Sequence, residues 1–377
     1  HGHIDLKEAY LDGTKIEANA NRYTFVWGRA IDKSKDRIKR QLKELWAYTE
    51  SVAKEELEHN EPESFEEIDS EKVAQAIEQI DKALEGKEVD KKAKQKLNYA
   101  RKNWPDNLKK YDHHKKQMGE RNSMSKTDPD ATFMHMKEDH MLNGQLKPGY
   151  NWQISTQDQY ILGYTLHQTT NDTTTLADHM DSLKRNLGQL PECLVADAGY
   201  GSEENYEYLE NNGIEAYVKF NYFHKEQSKK WKQDPAKIEN LYYNQEKDCY
   251  YCPMGQPMTF VRESTSLTDN KYKQTKRFYQ AQNCKGCPMR GPCHKQKSNR
   301  TIEANPKLVR YKQIVREKLN SEKGKQYRSR RPVDVEAVFG NIKHNQNFKR
   351  FLLRGLEKTE IEAGLISLAH NLKKMAS

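Results

Sequence analysis

The spacing of apolar residues changes several times along the chain. Around residues 10–17 apolar and polar side chains alternate, and this pattern predicts a strand that contains Asp12. From about residue 30 to residue 120, narrow apolar stripes recur at helical spacing against a background of Lys and Glu. We interpret this region as a helical hairpin or bundle inserted after the first strand. A coiled-coil dimerisation arm would produce the same stripes and is the alternative.

Beyond residue 123 the pattern becomes one of strands alternating with helices. Residues 150–156 and 160–167 alternate on both sides of a short polar turn, which predicts a hairpin. The next predicted elements are a helix over 174–186, a buried strand that ends at Asp197, a helix that opens at Ser202 and a strand over 214–220. Residues 221–300 show no regular pattern, and the chain after 307 is typical of helices. This order predicts a mixed α/β fold.

Composition narrows the class of protein. The 377 residues are 35% hydrophobic and 32% charged, and they contain no apolar run of the length that a membrane helix needs. No charged start leads into an apolar stretch, so we expect neither a membrane protein nor a secreted one. The chain starts at His1 without a Met, and we expect its native N-terminus to lie upstream.

The positive charge is concentrated in one stretch. The formal net charge is +9, and residues 307–354 alone contain fourteen Lys and Arg residues against four acids. Aromatic residues are interleaved with these charges, which favours a folded surface over a loose tail. A concentrated basic surface is typical of a polyanion site, although a solvated helical face is the plainer alternative.

Three acids lie at positions in the sequence that suit metal-dependent chemistry. Asp12 lies inside a strand, where Asp is disfavoured, and Asp197 ends a buried strand, although it could simply cap the next turn. Glu336 lies in a predicted helix of the basic stretch, seven residues before Lys343, so the two share one helical face. Clustered carboxylates suit hard divalent ions, and a nearby lysine suits phosphate, so the pattern indicates phosphodiester chemistry with two Mg²⁺ ions.

Five ordered motifs resemble one known family. They are LDGTKIEANANRYTFVW (11–27), DPDATF (128–133), YNWQ (150–153), ADAGYG (196–201) and EAVFGNIK (336–343). Together they resemble bacterial insertion-sequence transposases of the DDE class, over essentially the whole chain. The resemblance implies a ribonuclease H-like catalytic domain that binds two Mg²⁺ or Mn²⁺ ions, cuts DNA at transposon ends and joins the freed 3′-hydroxyl to target DNA. It also implies a further N-terminal helical domain, which we expect to be missing from this chain.

The resemblance assigns roles to individual residues. Asp12, Asp197 and Glu336 are its three catalytic and metal-binding acids, with Asp128 and Asp130 as rivals of Asp12 for the first. Related transposases carry a Tyr-x2-Arg-x3-Glu-x6-Lys signature around the last acid. Tyr327 and Lys343 match this signature, whereas either Arg330 or Arg331 could supply its arginine because Pro332 interrupts the spacing. We expect these four residues and His344 to contact DNA.

The cysteines predict a second metal site. Two Cys-x2-Cys pairs, Cys249 with Cys252 and Cys284 with Cys287, have the spacing of a zinc ribbon, and Cys293-His294 follows them. The resemblance favours Cys252, Cys284, Cys287 and Cys293 as the zinc ligands, with Cys249 in reserve. Free thiols or disulfides are the alternatives. Cys193 precedes a buried strand and is expected to be a core residue.

These inferences combine into one architecture and one function. We expect a ribonuclease H-like mixed sheet flanked by helices, with a long helical insertion and a small zinc-ribbon-like insertion. The expected segments are 1–27 (first strands), 28–122 (helical insertion), 123–225 (main catalytic body), 226–303 (cysteine-bearing insertion) and 304–377 (C-terminal helices with Glu336). We expect a transposase in the bacterial cytoplasm, associated with the nucleoid, that forms a homodimer on DNA. A catalytically inactive DNA-binding remnant and a stand-alone metal-dependent nuclease are the alternatives.

Overall fold

The computed structural model describes residues 4–53, 65, 67–137 and 144–376. The strands are β1 (Glu8–Glu17), β2 (Phe25–Trp27), β3 (Ser123–Ser125), β4 (Thr132–His135), β5 (Leu146–Gln157), β6 (Tyr160–His167), β7 (Cys193–Ala196), β8 (Glu215–Val218), β9 (Tyr243–Asn244), β10 (Cys249–Tyr251), β11 (Pro257–Leu267), β12 (Lys273–Ala281) and β13 (Thr301–Ala304).

The α-helices are α1 (Gly28–Val52), α2 (Ser70–Ala83), α3 (Lys91–Met118), α4 (Leu176–Leu187), α5 (Glu203–Asn211), α6 (Phe223–Glu226), α7 (Lys229–Lys232), α8 (Arg290–Cys293), α9 (Pro306–Asn320), α10 (Glu322–Arg331), α11 (Ala337–Gly340) and α12 (Leu356–Ala376). Two π-helical turns, Pro332–Glu336 and Asn341–Asn345, flank α11. Short 3₁₀ turns lie at Asp172–Thr174, Ala198–Tyr200 and Ile238–Asn240.

The chain divides into two compact units. The sheet unit comprises His1–Thr14, Asn151–Lys349 and Glu360–Ser377, and the helical unit comprises Lys15–Tyr150 and Arg350–Thr359. No described helix combines the length and the apolar character that a membrane crossing requires.

The sheet unit is built on a mixed sheet with the strand order β6-β5-β1-β7-β8. β5 and β6 form the antiparallel hairpin that the alternation predicts, whereas β1, β7 and β8 run parallel. β7 is buried along its whole length, and its sequence Cys-Leu-Val-Ala has the continuous apolar character of a central parallel strand. The mixed α/β fold expected from the sequence is confirmed.

The helical unit gives the charged region its own core. Helices α1, α2 and α3 pack their apolar stripes against one another, with Leu42, Ile77, Ile80, Ala100 and Trp104 among the residues that become buried. Asp69 caps α2 and Asp90 caps α3 through their side-chain oxygens. The stripes are therefore covered within one chain, as a hairpin or bundle requires.

The stretch 221–300, expected to be irregular, contains most of a second sheet. Its strands follow the antiparallel order β13-β12-β11-β10-β9 around a small core that includes Met258, Tyr279 and Ile302. This sheet could not be predicted from the sequence, because β11 is exposed along most of its length and has no alternation of apolar and polar residues.

Candidate active site

Two of the expected acids lie at the same end of neighbouring parallel strands. β1 pairs with β7, and the register ends on Leu11 opposite Ala196. Asp12 and Asp197 are the next residues of these two strands, so their backbones lie roughly one strand spacing, about 5 Å, apart. Asp12 is buried, whereas the side chain of Asp197 is 42% exposed.

The turn after β7 determines what Asp197 can do. Its Oδ1 accepts a hydrogen bond from the Gly199 backbone N–H at 2.8 Å and so caps a 3₁₀ turn. Helix α5 has its own cap, because Ser202 Oγ accepts from the Asn205 N–H at 3.1 Å. Asp197 therefore does not cap the next α-helix, and its Oδ2 points towards Arg331.

Glu336 comes close to Arg331 because the helix changes its period after α10. Pro332 has no N–H to donate, and the chain continues as the π-helical turn Pro332–Glu336. In a π-turn, residues five apart lie on one face. Arg331 and Glu336 are five apart, and Arg331 Nη1 donates to Glu336 Oε1 at 2.5 Å.

The guanidinium of Arg331 contacts all three acids. Besides Glu336, its Nη2 lies 2.9 Å from Asp12 Oδ1 and 3.9 Å from Asp197 Oδ2. The Arg331 side chain is only 8% exposed and that of Asp12 10%, so the pair between these two is screened little by solvent, whereas Asp197 and Glu336 are 42% and 46% exposed. Asp12, Asp197 and Glu336, chosen from three distant parts of the sequence, thus meet at one buried positive charge.

The two candidate arginines have different environments. Arg330 is exposed, forms an ion pair with Glu8 at 2.9 Å and a second with Asp158, and lies over the ring of Tyr10. Tyr327 packs edge-on against the same ring, with 6.3 Å between the ring centroids. It is Arg331, not Arg330, that reaches Asp12 and Glu336.

The other two residues expected to contact DNA lie in the second π-turn, Asn341–Asn345. Lys343 is buried, while the next residue, His344, is exposed. The expected placement of Lys343 two α-helical turns after Glu336 assumes a regular helix, whereas the intervening backbone includes this π-turn. Of these two residues, only His344 has a side chain that a ligand could reach from the solvent.

Lys219 is a site residue that the sequence analysis missed. It follows β8 directly, and its backbone N–H bonds to the carbonyl of Ala196, next to Asp197. Burial, together with the positive charge of Arg331, lowers the pKa of Lys219, while Asp197 and Glu336 act in the opposite direction. Lys219 is therefore a second cation beside the acids. A single lysine after a strand gives no sequence signal of this kind.

A buried polar network supports the two strand acids. Asp172 Oδ1 accepts from Asn151 Nδ2 at 2.7 Å and from Gln153 Nε2 at 3.0 Å. The hydroxyl of Tyr200 donates to Gln153 Oε1, and burial together with Asp172 raises the pKa of Tyr200. A Cβ on Gly13, next to Asp12, would lie 2.3 Å from Gln153 Nε2, so the network is in close contact with the backbone of β1.

Asp128 and Asp130 have local partners in the helical unit. The hydroxyl of Tyr150 donates to both oxygens of Asp128 at 2.9–3.0 Å, and the Gly355 N–H donates to Oδ1 at 3.2 Å. Burial raises the pKa of Asp128. Asp130 Oδ2 accepts from the Leu356 N–H at the start of α12. These bonds connect both residues to the backbone around the start of α12.

The donor set of the three acids fits a divalent ion. Carboxylate oxygens are the ligands that Mg²⁺ and Mn²⁺ prefer, and the three side chains already surround one cationic group. In the arrangement seen here, no three His, Cys, Asp or Glu side chains of the described residues are close enough together to bind a metal ion directly.

The four favoured cysteines line one cavity beside the second sheet. This cavity of about 20 Å³, about the size of one water molecule, is bordered by Cys252, Cys284, Cys287 and Cys293, and by His294. Cys249 lies outside the lining and is buried on β10, while Cys193 is buried on β7, as expected for a core residue. All six cysteines are free thiols rather than disulfides.

Polar groups around this cavity fit a thiolate site. Arg300 donates from Nη1 to Cys293 Sγ at 3.0 Å and from its backbone N–H to Cys284 Sγ at 3.3 Å. Both ring nitrogens of His294 are buried without a hydrogen-bond partner among the described residues, and burial lowers its pKa. A neutral imidazole beside four thiols is the chemistry that Zn²⁺ prefers.

Comparison with known proteins gives one finding. Residues 251–376 match a family described as the transposase DDE domain. The matched segment contains Glu336, Arg331 and the four cavity cysteines, but not Asp12 or Asp197. No curated protein and no solved structure matches the chain. The match covers about a third of the chain and one of the five motifs, EAVFGNIK (336–343), and over that segment it agrees with the resemblance to DDE-class transposases.

Proposed function

We propose that the chain is a DDE-class transposase, the DNA transposase of an insertion sequence, which cleaves phosphodiester bonds at transposon ends and transfers the strand to target DNA. The observation that carries this proposal is the meeting of Asp12, Asp197 and Glu336 at the guanidinium of Arg331. Their proximity supports one site built from the first strand, its parallel neighbour in the sheet and a late helix.

The sheet supports a ribonuclease H-like catalytic fold for this unit. An antiparallel hairpin lies beside three parallel strands in the order β6-β5-β1-β7-β8, and the first acid lies on the central strand β1. The second acid follows the neighbouring strand, at the carboxyl edge where α/β sheets place their ligands.

Different residues of the chain would take different parts in the cleavage reaction. Asp12, Asp197 and Glu336 would hold two Mg²⁺ or Mn²⁺ ions. Such ions supply activation of an attacking oxygen and stabilisation of the leaving oxygen. Arg331 and Lys219 place positive charge beside the acids, where they can bind and orient a non-bridging phosphate oxygen. The buried network around Tyr200 would hold the acid-bearing strands in place.

The basic stretch would bind the DNA backbone, with Tyr327, Arg330, Arg331, Lys343 and His344 as the proposed contacts. Arg328 is a further candidate on α10, since no described carboxylate lies within ion-pair distance of it, and its guanidinium lies 5.4 Å from the centre of the Phe223 ring. A cation without an acidic partner can bind phosphate without first breaking an ion pair.

Replacing Arg328 by Ala is therefore expected to reduce the salt dependence of DNA binding. The slope of log K against log salt should fall by about 1, because one phosphate contact is lost. Fluorescence anisotropy at several salt concentrations measures this slope. Arg40→Ala on α1, which removes a charge from the helical unit, serves as the control and should leave the slope unchanged. An unchanged slope for Arg328→Ala would mean that this part of α10 is a solvated face.

We propose that the cysteine cavity holds one structural Zn²⁺ through Cys252, Cys284, Cys287 and Cys293. The purified protein is expected to contain about one zinc per chain, and Cys287→Ser should lose it, because a closed Zn²⁺ site has four ligands. Elemental analysis measures the metal content. Cys249→Ser, which changes a cysteine outside the cavity lining, is the matched control and should keep the zinc. Zinc-free protein with all thiols titratable would refute the site.

A strand-transfer assay tests the proposed function as a whole. The substrate is DNA that carries the ends of the element, and the protein is assayed with Mg²⁺ or Mn²⁺ beside a target plasmid. Cutting followed by joining is the expected result for a transposase that acts in the bacterial cytoplasm, as a homodimer on its DNA. Cutting without joining would indicate a nuclease instead, and tight binding without cutting would indicate an inactive remnant.

A further inference from the structure

Helix α12 exposes an apolar stripe with a regular spacing. The stripe consists of five apolar residues, and we call it the outer face of α12. Its members are Ile361, Leu365, Leu368, Leu372 and Met375, and successive members are four, three, four and three positions apart. Each of the five side chains is more than half exposed, from 54% to 62%. Alternation of four and three is the spacing of the apolar seam in a coiled coil.

The opposite face of the same helix is small and polar, although it is the face that is buried. Ala363, Ser367 and His370 are all at most 5% exposed. Asn371 exchanges two hydrogen bonds with the backbone of Ile161 on β6, donating at 2.9 Å and accepting at 2.8 Å. His370 bonds to the carbonyl of Gln159.

Close packing against β6 explains the small residues. A Cβ on Gly364 would lie 2.2 Å from the hydroxyl oxygen of Tyr164, so the ring of this β6 residue packs directly on the backbone of the helix there. The usual pattern of a surface helix is therefore reversed in α12, with polar residues inside and leucines outside. Contiguous apolar patches of this size are uncommon on monomers and mark interaction sites.

We infer that the outer face of α12 is an interface with a second copy of this chain, and that the two helices run antiparallel. A continuous four-three stripe is self-complementary, as an isologous interface requires. Burying five such side chains removes on the order of 100 Å² each, so a symmetric pair buries about 1,000 Å² in total, which reaches the area of a specific interface.

The charges at the two ends of the stripe favour the antiparallel direction. At the N-terminal end two exposed acids, Glu357 and Glu360, outnumber the one exposed base, Lys358, and Lys373 is exposed at the C-terminal end. An antiparallel pair brings ends of opposite charge and opposite helix dipoles together, whereas a parallel pair brings like ends together. This interface needs no DNA and does not depend on the proposed transposase activity.

Molecular mass in solution tests the interface first. Without DNA, the full chain is expected to sediment as a dimer, and the double variant Leu365→Glu, Leu372→Glu should weaken dimerisation at least about a hundredfold, since charges replace apolar contacts on both copies. Leu267→Glu on β11, also at a highly exposed leucine, is the matched control and should remain dimeric. Circular dichroism confirms that each variant is folded. A monomer at all concentrations, or a double variant that still dimerises, would overturn the inference.

Disulfide trapping tests the direction of the helices. In the antiparallel pair the two-fold axis passes near Leu368, the centre of the stripe, so Leu368→Cys should crosslink to itself across the dimer. Ile361→Cys should not crosslink to itself but should crosslink to Met375→Cys in a mixture of the two variants. The unsubstituted chain, oxidised in parallel, reports any crosslinking by the native cysteines. Self-crosslinking of Ile361→Cys would contradict the antiparallel arrangement.

Discussion

Replacement of Asp197 by Asn is expected to reduce metal-dependent DNA cleavage about a thousandfold or more. The substitution keeps the size of the side chain and its capping of the 3₁₀ turn, but removes one of the three carboxylates that surround Arg331. Loss of an ion ligand at the reacting phosphate costs several kcal/mol of transition-state stabilisation, which corresponds to a factor of this size. Single-turnover cleavage of end-containing DNA measures the rate.

The control for this substitution is Asp178→Asn. Asp178 lies exposed in the first turn of α4, so its replacement changes the net charge equally but leaves the three acids intact. Its cleavage rate should stay within a few-fold of that of the unsubstituted chain. Equal cleavage rates for the Asp197 and Asp178 variants would show that Asp197 is not part of the active site.

Replacement of Arg331 by Ala is expected to destabilise the protein by about 3 kcal/mol in the absence of divalent ions. Without the guanidinium, Asp12 keeps a buried negative charge beside Asp197 and Glu336, and removing one partner of a buried ion pair has a cost of this order. Arg330→Ala removes the neighbouring arginine, whose side chain is 44% exposed and open to solvent screening, and should cost at most about 1 kcal/mol. Urea unfolding of the two variants measures the difference.

Addition of Mg²⁺ separates an electrostatic role of Arg331 from a packing role. Divalent ions bind the three carboxylates and restore the balance of charge, so they should raise the unfolding midpoint of Arg331→Ala more than that of Arg330→Ala. If both variants lost the same stability and responded equally to Mg²⁺, the three acids would not share the Arg331 counter-charge.

The acids of the candidate site could be chosen from the sequence because each had a local signal. Asp12 is unusual inside a strand, Asp197 directly follows a short buried strand, and Glu336 belongs to a motif in a basic helix. The parallel pairing of β1 and β7, which brings the first two together, is seen only in the structure, because the order of the predicted elements gives a mixed α/β class but not which strands are neighbours.

The role of Arg331 could not be predicted in the same way. A regular helix brings together residues three or four apart, whereas Arg331 and Glu336 meet across five residues in a π-turn. The network of Asn151, Gln153 and Asp172 gave no signal either, because its residues lie on separate elements and become neighbours only when the sheet forms.

The second sheet, and the choice of which face of helix α12 is buried, could not be predicted for a different reason. β11 and β12 are held mainly by backbone pairing and expose much of their surface, so the apolar alternation on which strand prediction depends is absent. In α12 the apolar stripe was readable, but it lies on the exposed face, and only the structure shows that the buried face is the polar one.

The proposed cleavage chemistry requires that Asp12, Asp197 and Glu336 form one divalent-ion site. The most direct test is a crystal structure of the protein grown or soaked with Mn²⁺, with anomalous diffraction to locate the ions. We expect an anomalous peak bonded to carboxylate oxygens of Asp12 and Asp197, with Glu336 as a ligand of the same site and the Arg331 guanidinium displaced from between them. Anomalous peaks elsewhere, with none at these three carboxylates, would contradict it.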